Sequence, residues 1–143
     1  MTDLAPLRDV AVELAAFAAG ELPPDHYCTV VEMKEVGRTA KGRPIRQLPY
    51  PRYTAAMDRV FAAFELAGFD HGTGASHRHR LDAYPWPISL EAVAAMPRED
   101  LSAFVHWIGR GERFCDGLWD GRTRDGTLLA AARRVLTLAE ASS

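Results

Sequence analysis

The stretch Leu4-Ala-Pro-Leu-Arg-Asp-Val-Ala-Val-Glu-Leu-Ala-Ala-Phe-Ala-Ala19 decides the fold class. Its apolar residues Leu4, Leu7, Val10, Ala11, Leu14, Phe17 and Ala18 recur at helical spacing, while Arg8, Asp9 and Glu13 lie off that stripe. Asp3 stands where an N-cap belongs, Pro6 is tolerated in a first turn, and Gly20 closes the far end. The pattern predicts an amphipathic helix. Glu21-Leu-Pro-Pro24 follows as a stiff connector.

Working outward, Thr29 to Val36 is rich in β-formers and partly alternates. A loop holding Gly37, Lys41, Gly42 and Pro44 leads to Ile45-Arg-Gln-Leu48, so the two runs predict a small β-hairpin. A lone hairpin does not hold in water and must pack against helices. Pro49-Tyr-Pro-Arg-Tyr53 is extended, because each proline pushes the residue before it out of the helical region. Thr54 then caps a second predicted helix with Met57, Val60, Phe61 and Phe64 as its stripe and Gly68 as its stop. Its alanines raise the helix propensity further.

Residues 69–88 show no stable period and contain Gly72, Gly74, Pro85 and Pro87, which predicts a long surface loop. A short helix opens at Ser89 with Glu91 and ends before Pro97. A longer one runs from about Arg98 through Ile108, with Leu101, Phe104, Val105 and Ile108 inward. Residues 111–125 are less regular, although Phe114, Leu118 and Trp119 keep a relation that suits a helix face. Gly126 breaks that segment, and Thr127 starts a last helix carrying Leu128, Leu129, Ala132, Val135, Leu136 and Ala139. A polar tail occupies 141–143. The expected fold is mostly α (α+β): a single domain over 1–143, built as a compact bundle of about five helices with a small β-hairpin after the first.

Composition agrees with a globular class. The chain has 143 residues, 48% hydrophobic and 25% charged, with a net charge of −2. It is too apolar for a disordered chain, and a chain of this size buries roughly two-thirds of its unfolded surface. No apolar run reaches the ~20 residues that a membrane helix needs, so no membrane partner is expected. Fifteen Arg stand against two Lys (Lys34 and Lys41), alongside 23 Ala. An arginine surplus suits phosphate recognition, but a preference for G- and C-rich codons enriches Ala, Arg, Gly and Pro together. Acidic residues outnumber basic ones 19 to 17, against the basic excess of a nucleic-acid domain. Cys28 and Cys115 are far apart and outside any CxxC pair, and the Met1–Asp3 start lacks a signal peptide's basic opening. A reduced, cytoplasmic setting is expected.

Three groups of residues could carry chemistry. His77 and His79 alternate, so on an extended segment both face one way, and Asp70, His71 and Asp82 lie near in sequence. The intervening Arg78 and Arg80 are cations that disfavour a nearby Zn²⁺, so a solvated basic loop is the favoured reading; neither metal nor cofactor is expected. Arg78 and Arg80 are instead the nucleic-acid candidates, with Tyr84 and Trp86 available for stacking, although proline-flanked aromatics more often pin a loop. The third and densest group is Arg110-Gly-Glu-Arg-Phe-Cys-Asp-Gly-Leu-Trp-Asp120. If helical, Glu112 and Asp116 share a face and could act as acid and base. Cys115 is a nucleophile candidate if Arg113 or a helix start depresses its pKa, with His106 approaching in space. Surface ion pairing of Arg113 with Asp116, and of Arg124 with Asp120, explains the same letters.

As a string, Trp107-Ile-Gly-Arg-Gly-Glu-Arg-Phe-Cys-Asp-Gly-Leu-Trp119, followed by Asp125-Gly-Thr-Leu-Leu129 and Arg133-Arg134, resembles a bacterial domain-of-unknown-function family. That family's signature is similar to ERFCDG followed by an aromatic residue, then a D/N-G turn and a leucine-rich helix. Gln47-Leu-Pro-Tyr-Pro-Arg-Tyr53 looks like its second landmark, so the resemblance covers about Ile45 to Leu138. The His-Arg loop is outside the pattern. The resemblance implies no activity, substrate or cofactor; it marks Glu112, Arg113, Phe114, Cys115, Asp116, Gly117 and Trp119 without assigning roles.

Physically, Phe114 and Trp119 would anchor this segment, and Gly117 would admit another backbone at close range. Glu112, Arg113 and Asp116 would form a fixed polar cluster, favoured as an ion-pair network over a pocket floor. The expected function is a small binding or regulatory module without catalysis, self-associating or binding a protein partner, with Arg113, Trp119 and His106 as ligand-contacting candidates. The alternatives are a small hydrolase or transferase using Glu112, Arg113 and Asp116, and, further off, a nucleic-acid accessory protein.

Overall fold

The structure is a computed structural model that describes residues 2–31, 35–46, 48–69, 75–113 and 115–142, with the backbone alone for 75–78. Among these residues the chain forms six α-helices: α1 (Ala5–Ala18), α2 (Ala55–Leu66), α3 (Leu90–Ala94), α4 (Arg98–Gly111), α5 (Leu118–Arg124) and α6 (Thr127–Ala141). Between α1 and α2 lie four short strands, β1 (Cys28–Val31), β2 (Glu35–Arg38), β3 (Pro44–Arg46) and β4 (Tyr50–Tyr53). The protein is mostly helical with small antiparallel sheets after the first helix, as the periodicities imply.

The helices form because each has an apolar stripe to bury. Leu7, Val10 and Leu14 of α1, Met57, Val60, Phe61 and Phe64 of α2, and Leu101, Phe104, Val105 and Ile108 of α4 are all buried. Leu128, Ala131, Ala132 and Val135 of α6 join them in one core cluster. Helix α6 packs against α1, α3, α4 and α5, so it is the element around which the others are arranged. Asp3 Oδ1 accepts the Ala5 N–H at 3.1 Å, and Ser89 Oγ accepts the Ala92 N–H at 3.1 Å, which satisfies donors exposed at two helix starts. Thr54 departs from the expected capping role. Its hydroxyl makes no cap and donates to the His26 carbonyl at 2.7 Å, tying the start of α2 to the entry of β1.

The strands nest. β1 pairs antiparallel with β4, setting Cys28 opposite Tyr53 and Val31 opposite Tyr50, and β2 pairs antiparallel with β3. The proline segment therefore serves as a strand in its own right. Pro51 sits opposite Val30, where a two-stranded sheet offers an edge that tolerates its missing N–H. At the tip, Thr39 N–H donates to the Arg43 carbonyl at 2.8 Å and Thr39 Oγ1 accepts the Arg43 N–H at 3.1 Å. Residues 32–34 and 47, inside the expected hairpin arms, lie outside the described residues.

The span 69–88, expected as a long loop, contains a 3₁₀ helix over Ala75–Ala83 that packs against α4. Among the described side chains of this 3₁₀ helix Leu81 is the buried apolar one; alone it gives no periodicity to read, yet it seats the turn on the core. The Tyr84 hydroxyl donates to Asp100 Oδ2 at 2.6 Å, and Arg80 reaches Asp100 Oδ1 at 3.6 Å. In the less regular 111–125 stretch, where Leu118 and Trp119 keep a helical relation, the helix formed is the short α5, Leu118–Arg124. Among the described residues no helix is long and apolar enough to cross a membrane.

Phe64 is fully buried at the centre of this core. Replacing it with alanine removes a large side chain from a site that cannot fully collapse, so Phe64→Ala should cost about 3–5 kcal/mol, read as a lower midpoint in urea unfolding.

Candidate functional site

The signature segment is a turn rather than a helix. Helix α4 ends at Gly111, and the described residues 112–113 and 115–117 are turn and bend before α5 begins at Leu118. At Gly111 a Cβ would meet the end of the Leu118 side chain, which would have to move to admit it. Gly117 differs from expectation. Nothing lies within 4 Å of its would-be Cβ, and what requires glycine is its φ of +88° at the N-cap of α5. The close backbone approach expected at Gly117 is not made there; the tight contact in this segment is of the Leu118 side chain with Gly111.

The turn converges on one carboxylate. Glu112 Oε2 accepts the Gly117 N–H at 2.7 Å, and Oε1 accepts the Trp119 N–H at 2.9 Å and the Tyr53 hydroxyl at 2.6 Å. Tyr53 Oη in turn accepts the Asp120 N–H at 3.2 Å. Glu112 thus does for α5 what an N-cap side chain does, with its negative charge at the positive end of the helix. Burial, followed by the hydrogen bond to Glu112, raises the Tyr53 hydroxyl above its ordinary range, so it remains a donor. Trp119 lies against Tyr53 at 5.0 Å and Phe61 at 4.5 Å between ring centroids, and its indole N–H donates to the Ile108 carbonyl at 2.8 Å.

The other predicted site residues do not gather around Glu112. Asp116 and Arg113 are exposed, and among the described residues they make no ion pair with each other. Because the turn replaces the helix on which Glu112 and Asp116 would share a face, that shared face does not exist. Arg124 and Asp120 do pair, Nε to Oδ1 at 2.8 Å, and Arg124 also donates to the Pro24 carbonyl at 2.7 Å. Cys115 is exposed, and Cys28 is buried, which pushes its thiol up. His106 is buried within α4. Phe114 lies outside the described residues.

In the basic tract, Arg80 is held by Asp100 and His79 is exposed. Asp70 and His71 lie outside the described residues, as do the side chains of His77 and Arg78. Among the described residues no three His, Cys, Asp or Glu side chains are placed to hold a metal ion. Tyr84 pins the segment through Asp100, whereas Trp86 remains half-exposed with its ring 4.9 Å from that of Trp107.

Two features escaped the sequence reading. His26 Nε2 meets Glu13 Oε1 at 2.9 Å, and Glu13 Oε2 lies 3.8 Å from Arg59, so α1, the β1 entry and α2 share one carboxylate. Tyr27 is buried beside it, and burial, then the Glu13 charge, raises its hydroxyl above the ordinary range. Two shallow grooves of about 400 and 420 Å³ flank Arg133, one between α3 and α6 and one beside α1. Neither is lined by Glu112, Arg113 or Asp116.

Removing the Glu112 carboxylate leaves two backbone donors and one hydroxyl to find water. Glu112→Ala should therefore destabilise by about 1–3 kcal/mol, and Tyr53→Phe by about 1 kcal/mol, in urea unfolding. The effects should be coupled in a double-mutant cycle, because both variants delete the same bond. Tyr84 offers a pH signature. Burial and Asp100 push its hydroxyl up to about 12 from 10.0. The neutral form is the one the fold prefers, so this contribution is complete below pH 10 and is lost as pH rises towards 12. Tyr84→Phe should flatten that alkaline loss in unfolding measurements across the window.

Compared with known proteins, neither a curated protein nor a solved structure matches the chain. A family model does match, across residues 26–141, from the His26 that meets Glu13 to the last turn of α6. With the strands, the Glu112 turn and five of the six helices inside that match, the chain belongs to the family of unknown function DUF6508.

Proposed function

We propose that the protein is a non-catalytic binding or regulatory module that acts as a single domain. The observation that carries this reading is the use of Glu112. The carboxylate that an acid–base mechanism would need is surrounded by the Gly117 and Trp119 N–H groups and the Tyr53 hydroxyl, while Asp116 stands apart on an exposed turn. A general acid or base must reach the proton it moves, and a carboxylate committed to three donors is better suited to hold a helix start. Two free thiols, one buried and one exposed, fit a reduced, cytoplasmic setting. A bacterial source rests on the likeness of the ERFCDG segment.

The competing hydrolase or transferase reading would need Arg113 and Asp116 to hold an anionic ligand. A thermal-shift screen with divalent metals, nucleotides and phosphorylated sugars separates the two. Under the module reading Asp116→Ala leaves Tm in place and no compound gives a shift that depends on Asp116. A compound whose stabilisation is abolished by Asp116→Ala in a folded variant would replace this reading with the enzymatic one.

A further inference from the structure

The β2–β3 ribbon is the most unusual surface of the molecule. Residues 35–52 hold five cations (Arg38, Lys41, Arg43, Arg46 and Arg52) and one acid, Glu35. That is a net +4 in a chain whose total is −2, which leaves −6 on the remainder. Glu35 is spent on Arg38, at 3.1 Å, and Arg38 also donates to the Gly42 carbonyl. Lys41, Arg43, Arg46 and Arg52 are exposed and make no ion pair among the described residues.

Large aliphatic groups stand among these charges. Val36 is 65% exposed, Ile45 45%, and Leu48, just beyond β3, 78%. Every residue of β2 and β3 is exposed, so this ribbon buries nothing against the helices. A surface that mixes unpaired cations with open aliphatic side chains asks for an acidic, partly apolar partner.

The backbone narrows the choice. Among the described residues β2 pairs only with β3, so its outer edge carries N–H and C=O groups open to another strand. Of the two ribbon strands, β3 opens with Pro44, which cannot donate to a ladder, whereas β2 contains no proline, although its pairing is interrupted between Glu35 and Gly37. The β2 edge is thus the one on which every described residue keeps its N–H. A second copy adding its own β2 would set two basic ribbons together, like charge against like. A nucleic acid would match the cations but not Val36 and Ile45, and its extended charge would meet the acidic remainder of the chain. A lipid surface would match both side-chain types but would make no use of the open strand edge.

Building on the module reading, we infer that the β2 edge is a docking site for an extended acidic peptide of a partner protein. The peptide adds as a strand, its backbone pairs with β2, its carboxylates meet Lys41, Arg43 and Arg46, and its apolar positions cover Val36 and Ile45. Backbone pairing supplies affinity, and the alternation of acid and aliphatic supplies selectivity.

The test uses the full chain and a fluorescein-labelled peptide of four Glu-Val repeats, read by fluorescence anisotropy at low salt. The peptide should bind. Affinity should fall roughly tenfold or more for Lys41→Glu/Arg43→Glu/Arg46→Glu, for a Lys-Val peptide, and for a Glu-Val peptide N-methylated at alternate residues. Should the triple reversal fail to fold by circular dichroism, Arg43→Gln/Arg46→Gln replaces it, with a smaller loss expected.

Equal binding by the N-methylated peptide would overturn strand addition, and equal binding by the charge variants would overturn the site. Tighter binding of a DNA duplex or of phosphatidylserine vesicles than of the peptide would assign the ribbon to those partners instead. Concentration-dependent dimerisation lost in the triple variant would assign it to a second copy. Absence of peptide binding defeats this inference alone; the module reading fails separately, through a ligand shift that depends on Asp116.

Discussion

The Glu112 carboxylate is where three parts of the chain meet. It accepts from the hydroxyl at the end of β4 and from two N–H groups that open α5, and it stands at the C-cap of α4. Without it the reversal from α4 into α5 would present unpaired donors at a half-buried position, a cost comparable with a lost hydrogen bond for each. Trp119 is set by the same bonds, and its ring closes the gap between Tyr53 and Phe61. The sheet is thereby held to the helices by polar contacts at one end and by aromatic packing beside them. The Glu13 carboxylate repeats the device on a smaller scale, joining α1, the β1 entry and α2 through His26 and Arg59.

Helices with a stripe were readable. Leu7, Val10 and Leu14, or Leu101, Phe104 and Ile108, announce a buried face by spacing alone, and each is buried. What could not be read depends on partners distant in sequence. Tyr53 and Glu112 are 59 positions apart, and Arg124 reaches the Pro24 carbonyl across 100. Local spacing placed Glu112 and Asp116 on one face, but α4 ends at Gly111 with Glu112 as its C-cap, so the chain has left the helix before that face can form. Tyr53, the partner that explains Glu112, stood in view only as the end of a proline segment. The 3₁₀ helix gives no pattern for a related reason: among its described side chains Leu81 is the buried apolar one, and Asp100, which Arg80 and Tyr84 reach, lies in another helix.

The arginine surplus divides once positions are known. Arg124 and Arg134 donate to backbone carbonyls, Arg59, Arg80 and Arg122 reach carboxylates, and Arg98 lies over the Phe69 ring. These arginines join elements to one another, a use to which a planar guanidinium is better suited than lysine. Composition suggested a polyanion partner through Arg78 and Arg80, whereas Arg43, Arg46 and Arg52, which make no ion pair among the described residues, lie in the segment of strands between α1 and α2. An even overall balance concealed that separation, because acids elsewhere in the chain cancel the basic ribbon in the sum.

Helix α5 has only seven residues, far below the length at which an isolated helix persists in water. Its first turn is completed by a carboxylate at the end of α4 and a hydroxyl from β4, so it has little reason to exist before both arrive. Closing the chain between residues 53 and 112 costs entropy that grows only slowly with loop length, but that cost precedes the contacts that offset it. The order of assembly follows: the long striped helices α1, α2, α4 and α6 can collapse on one another first. The strands then dock, and α5 winds last, as the clasp that records their arrival.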